Sequence, residues 1–322
     1  MRTFTIENEK ELDALGKSGA VFENGCVLAL GFFDGVHKAH RALIGSAGAE
    51  AKRLGIPLAV FTFSAESTSL KPRSLRLFTD KEKESELAAL GIDVTLIFGF
   101  ELIKNITAED FIEEILVKKL NTHTAFCGFN FRFGKNASGN TEFLFEKMKS
   151  LGKSTVIVPE IKEKDGEISS SAIREMLSSK KLDEATRLLG KPFFADGKVL
   201  HGLGLGKKLG FPTVNLEFTS EKFTLPAGVY FTAVKIDDRL YPSITNFGVC
   251  PTFDEREIHA ETFIFDFDKD IYGEEIRLYF IEFIRDEIKF SSKNDLIMQI
   301  NIDINKALRL AKETKWLEIG LS

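Results

Sequence analysis

Two rhythms of apolar and polar positions divide the chain. From Cys26 onward, the short apolar runs Cys26–Leu30, Pro57–Phe63, Asp93–Phe98, Ala125–Gly128 and Thr155–Val158 alternate with stretches of helical period. That is the pattern of strands joined by crossover helices. The clearest helix is predicted over Thr107–Leu120, where Glu109 and Asp110 lie at the positive end and Phe111, Ile112, Ile115, Leu116 and Leu120 share one face. Such alternation implies a Rossmann-like, doubly wound parallel sheet, whose ligands sit beyond the carboxyl ends of the strands. A pair of helices, Ser170–Ser178 and Leu182–Leu189, ends this half.

After Gly190-Lys191-Pro192 the helices stop. Six strand-like runs follow, Phe193–Val199, Thr213–Phe218, Gly228–Ile236, Arg239–Asn246, His259–Phe267 and Ile276–Phe283, separated by Gly, Pro and Asp turns. Strands in succession without intervening helices predict a small antiparallel barrel. A final helical stretch, Ser292 to Trp316, offers Ile297, Ile300, Ile304, Leu308 and Leu310 to pack on it. The expected fold class is therefore α/β plus all-β, with domains at 1–188 and 189–322.

Composition narrows the classes of function. The 322 residues are 43% hydrophobic and 28% charged with a net charge of -5, which describes a globular chain without the basic field that steers nucleic acid. Cys26, Cys127 and Cys250 are isolated, so neither a disulfide framework nor a zinc site is expected. The start, Met1-Arg2-Thr3-Phe4-Thr5, lacks an apolar signal core, and no stretch approaches the ~18 apolar residues of a membrane span. The cytoplasm is the expected location and no membrane partner is expected; oligomeric state is left open.

Candidate chemistry gathers in three segments. Gly31-Phe32-Phe33-Asp34-Gly35-Val36-His37-Lys38-Ala39-His40 follows the first of these strands and enters an amphipathic helix through Leu43, Ile44, Ala47 and Leu54. Strand, glycine turn and helix start make an anion pocket, because free N–H groups and the helix dipole face a bound phosphate. His37 and His40, two of only five histidines, add donors for charge developing on a departing phosphate. Ile168-Ser169-Ser170-Ser171-Ala172-Ile173-Arg174 sets three hydroxyls at a helix start and Arg174 one turn in, which suits a triphosphate. In the barrel half, Gly202, Gly204, Gly206 and Gly210 let backbone approach phosphates, with Lys207 or Lys208 adding charge. Thr213 and Asn215 alternate onto one strand face as two oxygen donors for a hard cation.

With these motifs in this order, the chain resembles the bacterial bifunctional riboflavin kinase/FMN adenylyltransferases, or FAD synthetases. The resemblance rests on Gly-Phe-Phe-Asp-Gly-Val-His-x-x-His at 31–40, Asn130-Phe131-Arg132-Phe133-Gly134, Ile168 to Arg174, and Gly-Phe-Pro-Thr-Val-Asn-Leu at 210–216. Pro226 to Tyr230, Asn246 to Phe253 and Glu261 to Gly273 extend it. It implies ATP as co-substrate, Mg²⁺ as metal, and riboflavin, FMN and FAD as substrates and products. By the same resemblance Gly31, Phe33, His37, His40 and Asn130 would hold ATP in the first half, with Ser170, Ser171 and Arg174 on its phosphates. Thr213 and Asn215 would hold Mg²⁺ and ATP in the second, and Glu261 would be the base for the riboflavin 5′-hydroxyl. The chemistry fits: an alcohol gains from a base as it attacks phosphorus, whereas the FMN phosphate is already an anion.

The chain departs from the family pattern at three places. Phe63-Ser64-Ala65-Glu66-Ser67 stands where Phe-Asp-Pro-His-Pro is usual, Ala39 replaces a glycine, and Ser171 a threonine. A kinase with a degenerate first half, or a non-catalytic flavin sensor, are the alternatives these departures leave.

Overall fold

The computed structural model describes residues 1–17, 22–64, 76–163, 166–201, 206, 209–219, 222–251 and 256–321. Contacts divide it into two compact units, Met1–Ile168 and Ser169–Ser322.

The first unit is a six-stranded parallel sheet in the order β1-β4-β3-β2-β5-β6. Its strands are β1 (Arg2–Ile6), β2 (Cys26–Leu30), β3 (Leu58–Phe63), β4 (Val94–Phe98), β5 (Thr122–Gly128) and β6 (Ser154–Val158). Helices α1 (Glu9–Lys17), α2 (Lys38–Leu54), α3 (Asp80–Ala88), α4 (Phe100–Ile103), α5 (Ala108–Asp110) and α6 (Thr141–Ser150) connect them. β2, β3 and β4 are wholly or almost wholly buried, as continuous apolar runs covered on both faces require. β1 was not among the sequence-derived strands; its mixed polar composition hides it, and it adds to the sheet edge by pairing with β4.

The helix expected at Thr107–Leu120 starts where the sequence indicated, with the Thr107 hydroxyl accepting the Asp110 N–H at 3.0 Å. From Phe111 to Lys119 it is a π-helix, closed by the Leu120 N–H on the Ile115 carbonyl. The wider turn still buries Phe111, Ile112, Ile115, Leu116 and Leu120 together, so the apolar spacing survives the change of helix type.

The second unit begins with α7 (Ser170–Ser178) and α8 (Leu182–Leu189). The sequence reading attached this pair to the first half, but α8 packs on two strands of the barrel. The barrel is closed, in the order β10-β13-β12-β11-β14-β9, and antiparallel throughout. Its strands are β9 (Phe193–Leu200), β10 (Val214–Glu217), β11 (Gly228–Ile236), β12 (Arg239–Pro251), β13 (Arg256–Ile264) and β14 (Glu275–Arg285); β7 (Lys162–Glu163) and β8 (Gly166–Glu167) form a separate short hairpin in the first unit.

Inside the barrel, Tyr230, Phe247 and Phe280 meet edge to face. Beside them a ladder of four buried hydroxyls runs from Ser243 to Thr232, Thr245 and Thr262 at 2.7–2.9 Å. Each hydroxyl is thereby satisfied without water, and the ladder ties β11, β12 and β13 in register. The last helix, α9 (Lys293–Glu313), packs Ala307, Ile304, Leu310 and Ala311 against Val229, Phe231, Ile244 and Phe263 on the barrel's outer face. Leu308, expected to pack there too, faces solvent; the Arg285–Asp303 ion pair at 2.7 Å sets the rotation of α9 so that Asp303 and Ala307, one turn apart, point inward instead.

Candidate active sites

The first site lies at the carboxyl edge of the parallel sheet, where β2 neighbours β3 on one side and β5 on the other. Chain connections run in opposite directions from this point, so the loops after β2 and β5 part and leave a crevice. Gly31 leaves β2 and the chain turns sharply: Phe33 has φ 53°, Gly35 80° and Val36 38°. Left-handed backbone at Phe33 and Val36 is strained and is kept only where the surroundings fix it. Phe33 is wholly buried, and its ring folds over Gly31 so closely that a Cβ there would lie 2.8 Å from Phe33 Cζ. Gly31 is thus required by Phe33. The same ring meets His40 edge-on at 5.2 Å.

His37 is the N-cap of α2, its Nδ1 accepting the His40 backbone N–H at 3.4 Å. That bond assigns the proton to Nε2. The two imidazoles stack, 3.5 Å between centroids and 15° between planes. His40 Nδ1 is buried and has no hydrogen-bond partner. Burial holds the His37 pKa down at about 4; His40 lies well below the usual histidine value, first through burial and then through the His37 charge. Both are therefore neutral near pH 7. Their folded pKa values lie below the unfolded one, so the fold has their full support above about pH 6.5 and loses it as pH falls toward 4. The protection factors of the α2 amides, that is exchange relative to the intrinsic rate at each pH, are expected to fall over that window, and less steeply in a His37→Asn variant, where asparagine keeps the cap without a titrating group. An unchanged pH profile in that variant would remove His37 from the transition.

Asn130 is exposed just past β5, in a turn closed by the Phe131 N–H on the Gly128 carbonyl at 3.0 Å. Gly31, Phe33, His37, His40 and Asn130 thus fall in one unit, on adjacent loops. Ser170, Ser171 and Arg174 are on α7 in the second unit. Ser169 is spent as the helix cap, accepting the Ala172 N–H at 3.2 Å, while Ser171 and Arg174 approach each other at 3.5 Å. Among the family departures, Ala65, Glu66 and Ser67 lie outside the described residues.

The second site is on the outer face of the barrel. Asn215 on β10 stands directly opposite Glu261 on β13, and Glu261 directly opposite Asn246 on β12. Directly opposed residues share a face, so Asn215, Glu261 and Asn246 form one polar row across three strands. Glu261 and Asn246 are exposed, while Ala260 and Thr262 on either side of Glu261 are buried. Asn246, which the sequence showed only as the start of a family motif, becomes a candidate site residue once the strand register is known. Thr213 precedes β10 and is half-buried. A Cβ on Gly206 would lie 2.9 Å from Thr213 Oγ1 and 2.4 Å from the Phe211 carbonyl oxygen, and the Gly206 carbonyl accepts the Phe211 N–H at 2.9 Å. Gly206 therefore seats the segment carrying Thr213. Gly202, Gly204, Lys207 and Lys208 lie outside the described residues.

No described group of three or more His, Cys, Asp or Glu residues is arranged to hold a metal. Thr213 and Asn215 are neutral oxygen donors, which fits a hard cation that takes its remaining ligands from phosphate oxygens and water. Among the described residues no helix is long and apolar enough to cross a membrane.

A parallel sheet with a helix start at its switch point, followed by a closed barrel with a carboxylate between two amides, fits the class of two-centre transferases of phosphorus-containing groups. The comparisons with known proteins are specific. The FAD synthetase family model matches residues 20–172 and the riboflavin kinase model residues 189–311. A bifunctional riboflavin kinase/FMN adenylyltransferase of Bacillus subtilis is 33% identical over 88% of this chain and 92% of its own. Its namesake in Escherichia coli is 33% identical over 87% and 91%. A crystal structure from Streptococcus pneumoniae, described as a macrolide-efflux protein, superposes with a TM-score of 0.82 at 30% identity, covering 95% of this chain and 99% of that one. The chain belongs to the bifunctional riboflavin kinase/FMN adenylyltransferase family.

Proposed function

We propose that the two activities of the family run on separate surfaces of this chain: the barrel phosphorylates riboflavin to FMN, and the α/β half transfers the adenylyl group of a second ATP to FMN, giving FAD. The functional domains are taken as 1–188 and 189–322; the start of the riboflavin kinase model at residue 189 supports the second bound, while the FAD synthetase model ends at 172. The observation that carries the kinase assignment is the row Asn215–Glu261–Asn246. The Glu261 carboxylate takes the proton of the riboflavin 5′-hydroxyl as its oxygen attacks the γ-phosphorus, and ADP leaves. Asn215 and Asn246 flank the carboxylate and hold it in place beside the incoming alcohol. Thr213 and Asn215 would hold Mg²⁺, which neutralises phosphate charge.

In the α/β half the FMN phosphate attacks the α-phosphorus and pyrophosphate leaves, with no base required. His37 and His40 act as neutral donors to the phosphates, and the unpartnered His40 Nδ1 supports a role for that imidazole toward a ligand. Gly31, Phe33 and Asn130 shape the nucleotide site; a phosphate role for Ser170, Ser171 and Arg174 rests on the family resemblance alone. Two uses of ATP support the cytoplasm as the location.

Magnesium removal tests the metal assignment. With excess EDTA, riboflavin phosphorylation is expected to stop and to return on adding Mg²⁺; full activity in EDTA would overturn it. Gly206→Ala tests the seating of Thr213: a fall of about 10-fold or more in FMN formation is expected, with FAD formation from FMN unchanged. Undiminished FMN formation would release Thr213 from its role.

A further inference from the structure

Helix α3 reads as a solvated charge run, Asp80-Lys81-Glu82-Lys83-Glu84-Ser85-Glu86, yet Glu82, Lys83 and Glu86 are all buried, at 0%, 3% and 2% exposure. Glu82 completes a capping box with Thr79. The other two charges, and the chain that leads into the helix, all reach the loop that carries the histidines.

Lys83 Nζ donates to the Phe63 carbonyl at 2.8 Å, lies 3.1 Å from the Asp80 carboxylate and reaches Thr62 Oγ1 at 3.5 Å. Thr62, itself fully buried, donates to the Phe32 carbonyl at 2.9 Å. Two residues further on, the Asp34 carboxylate accepts the N–H groups of Leu77 and Phe78 at 2.9 and 3.4 Å, just ahead of α3. Beyond the histidines, Glu86 binds Arg41 at 2.8 Å. Positions 32, 34 and 41 are therefore all tied to one helix and its lead-in, and they bracket His37 and His40. Between the ties lie the two strained residues, Phe33 and Val36.

We propose that Lys83 is a positioning residue for adenylyl transfer: by gripping the end of β3 and, through Thr62, the Phe32 carbonyl, it holds the strained turn that presents His37 and His40. Strained backbone relaxes unless its surroundings over-determine it, and the Phe32 carbonyl is the last fixed point before that strain begins. A lysine is expensive to bury, since loss of solvation disfavours its ammonium form, and an apolar side chain would fill the space at less cost. Its three oxygen partners explain its retention. The partners of Lys83 Nζ are the oxygens of Thr62, Phe63 and Asp80, so it acts through the loop.

The inference rests on the assignment of the histidines to adenylyl transfer, and the experiment separates the two. FAD formation from FMN and ATP is measured in the full-length protein for Lys83→Met, Thr62→Val, Thr62→Ser, His40→Ala and the Lys83→Met/His40→Ala pair, with riboflavin phosphorylation by the same preparations as the internal control. Lys83→Met and Thr62→Val are each expected to lower kcat for FAD formation about 10-fold, a loss typical of misplaced catalytic groups, with FMN formation unchanged. Thr62→Ser, which keeps the hydroxyl, is expected to restore most of the rate. The double variant is expected to be no slower than His40→Ala alone, because residues acting through one another are not additive. Undiminished FAD formation in Lys83→Met, equal losses in Thr62→Ser and Thr62→Val, or additive losses in the double variant would overturn the proposal. A fully active His40→Ala would instead overturn the histidine assignment on which it rests.

Discussion

Glu261→Gln is expected to lower riboflavin phosphorylation by about 10²–10⁴-fold, the range over which positioned general bases act, while FAD formation from supplied FMN stays at the parental rate. The substitution is nearly isosteric and removes only the proton acceptor. Glu261 is exposed, so glutamine there leaves no buried charge unpaired, and the barrel interior, built from the opposite strand face, is untouched. The loss belongs in kcat, since Thr213 and Asn215, assigned to ATP and Mg²⁺, remain. A Glu261→Gln enzyme that makes FMN at the parental rate would remove Glu261 as the base and place the proton acceptor outside the row, since its other two members, Asn215 and Asn246, are neutral amides.

His40→Ala is expected to lower FAD formation by about 10²-fold or more, as loss of a preorganised donor to a transition-state oxyanion does, and to leave FMN formation intact. His40 is the better test of the pair because His37 also caps α2, and removing a cap destabilises a helix by about 0.5–2 kcal/mol. The stacked geometry makes a further distinction: without His40, the His37 ring loses its partner at 3.5 Å and its edge-on support from Phe33 through His40. Loss of both activities together would mark a folding defect rather than a lost donor, which circular dichroism would register separately.

How much of this was legible in the sequence differs by level. The barrel strands were legible because each is bounded by Gly, Pro or Asp turns and alternates faces, and the register of Glu261 against Asn215 then follows from β10 and β13 being neighbours. That adjacency itself was not legible, since β10 and β13 are separated by two strands in the chain. The histidine loop was legible as a motif, but not the reason for its shape: Phe33 and Val36 at positive φ follow no local propensity and are imposed by packing. Least legible was α3, whose charges point inward to carbonyls and to Arg41 that sit far away in sequence. A charge run ordinarily faces water, and only the tertiary partners reverse that reading. The attachment of α8 to the barrel was likewise hidden, because chain order placed it with the sheet while packing places it on β9 and β14, with α7 against it.

The most direct measurement is a chromatographic time course of the purified protein with riboflavin, ATP and Mg²⁺, run for the parent, for Glu261→Gln, for His40→Ala and for an equal mixture of the two variants. The expected result is FMN followed by FAD from the parent, no FMN from the first variant, FMN without FAD from the second, and FAD again from the mixture, since each variant supplies the step the other lacks. FMN without FAD from the parent, or neither product, would contradict the assignment of two working centres to this chain.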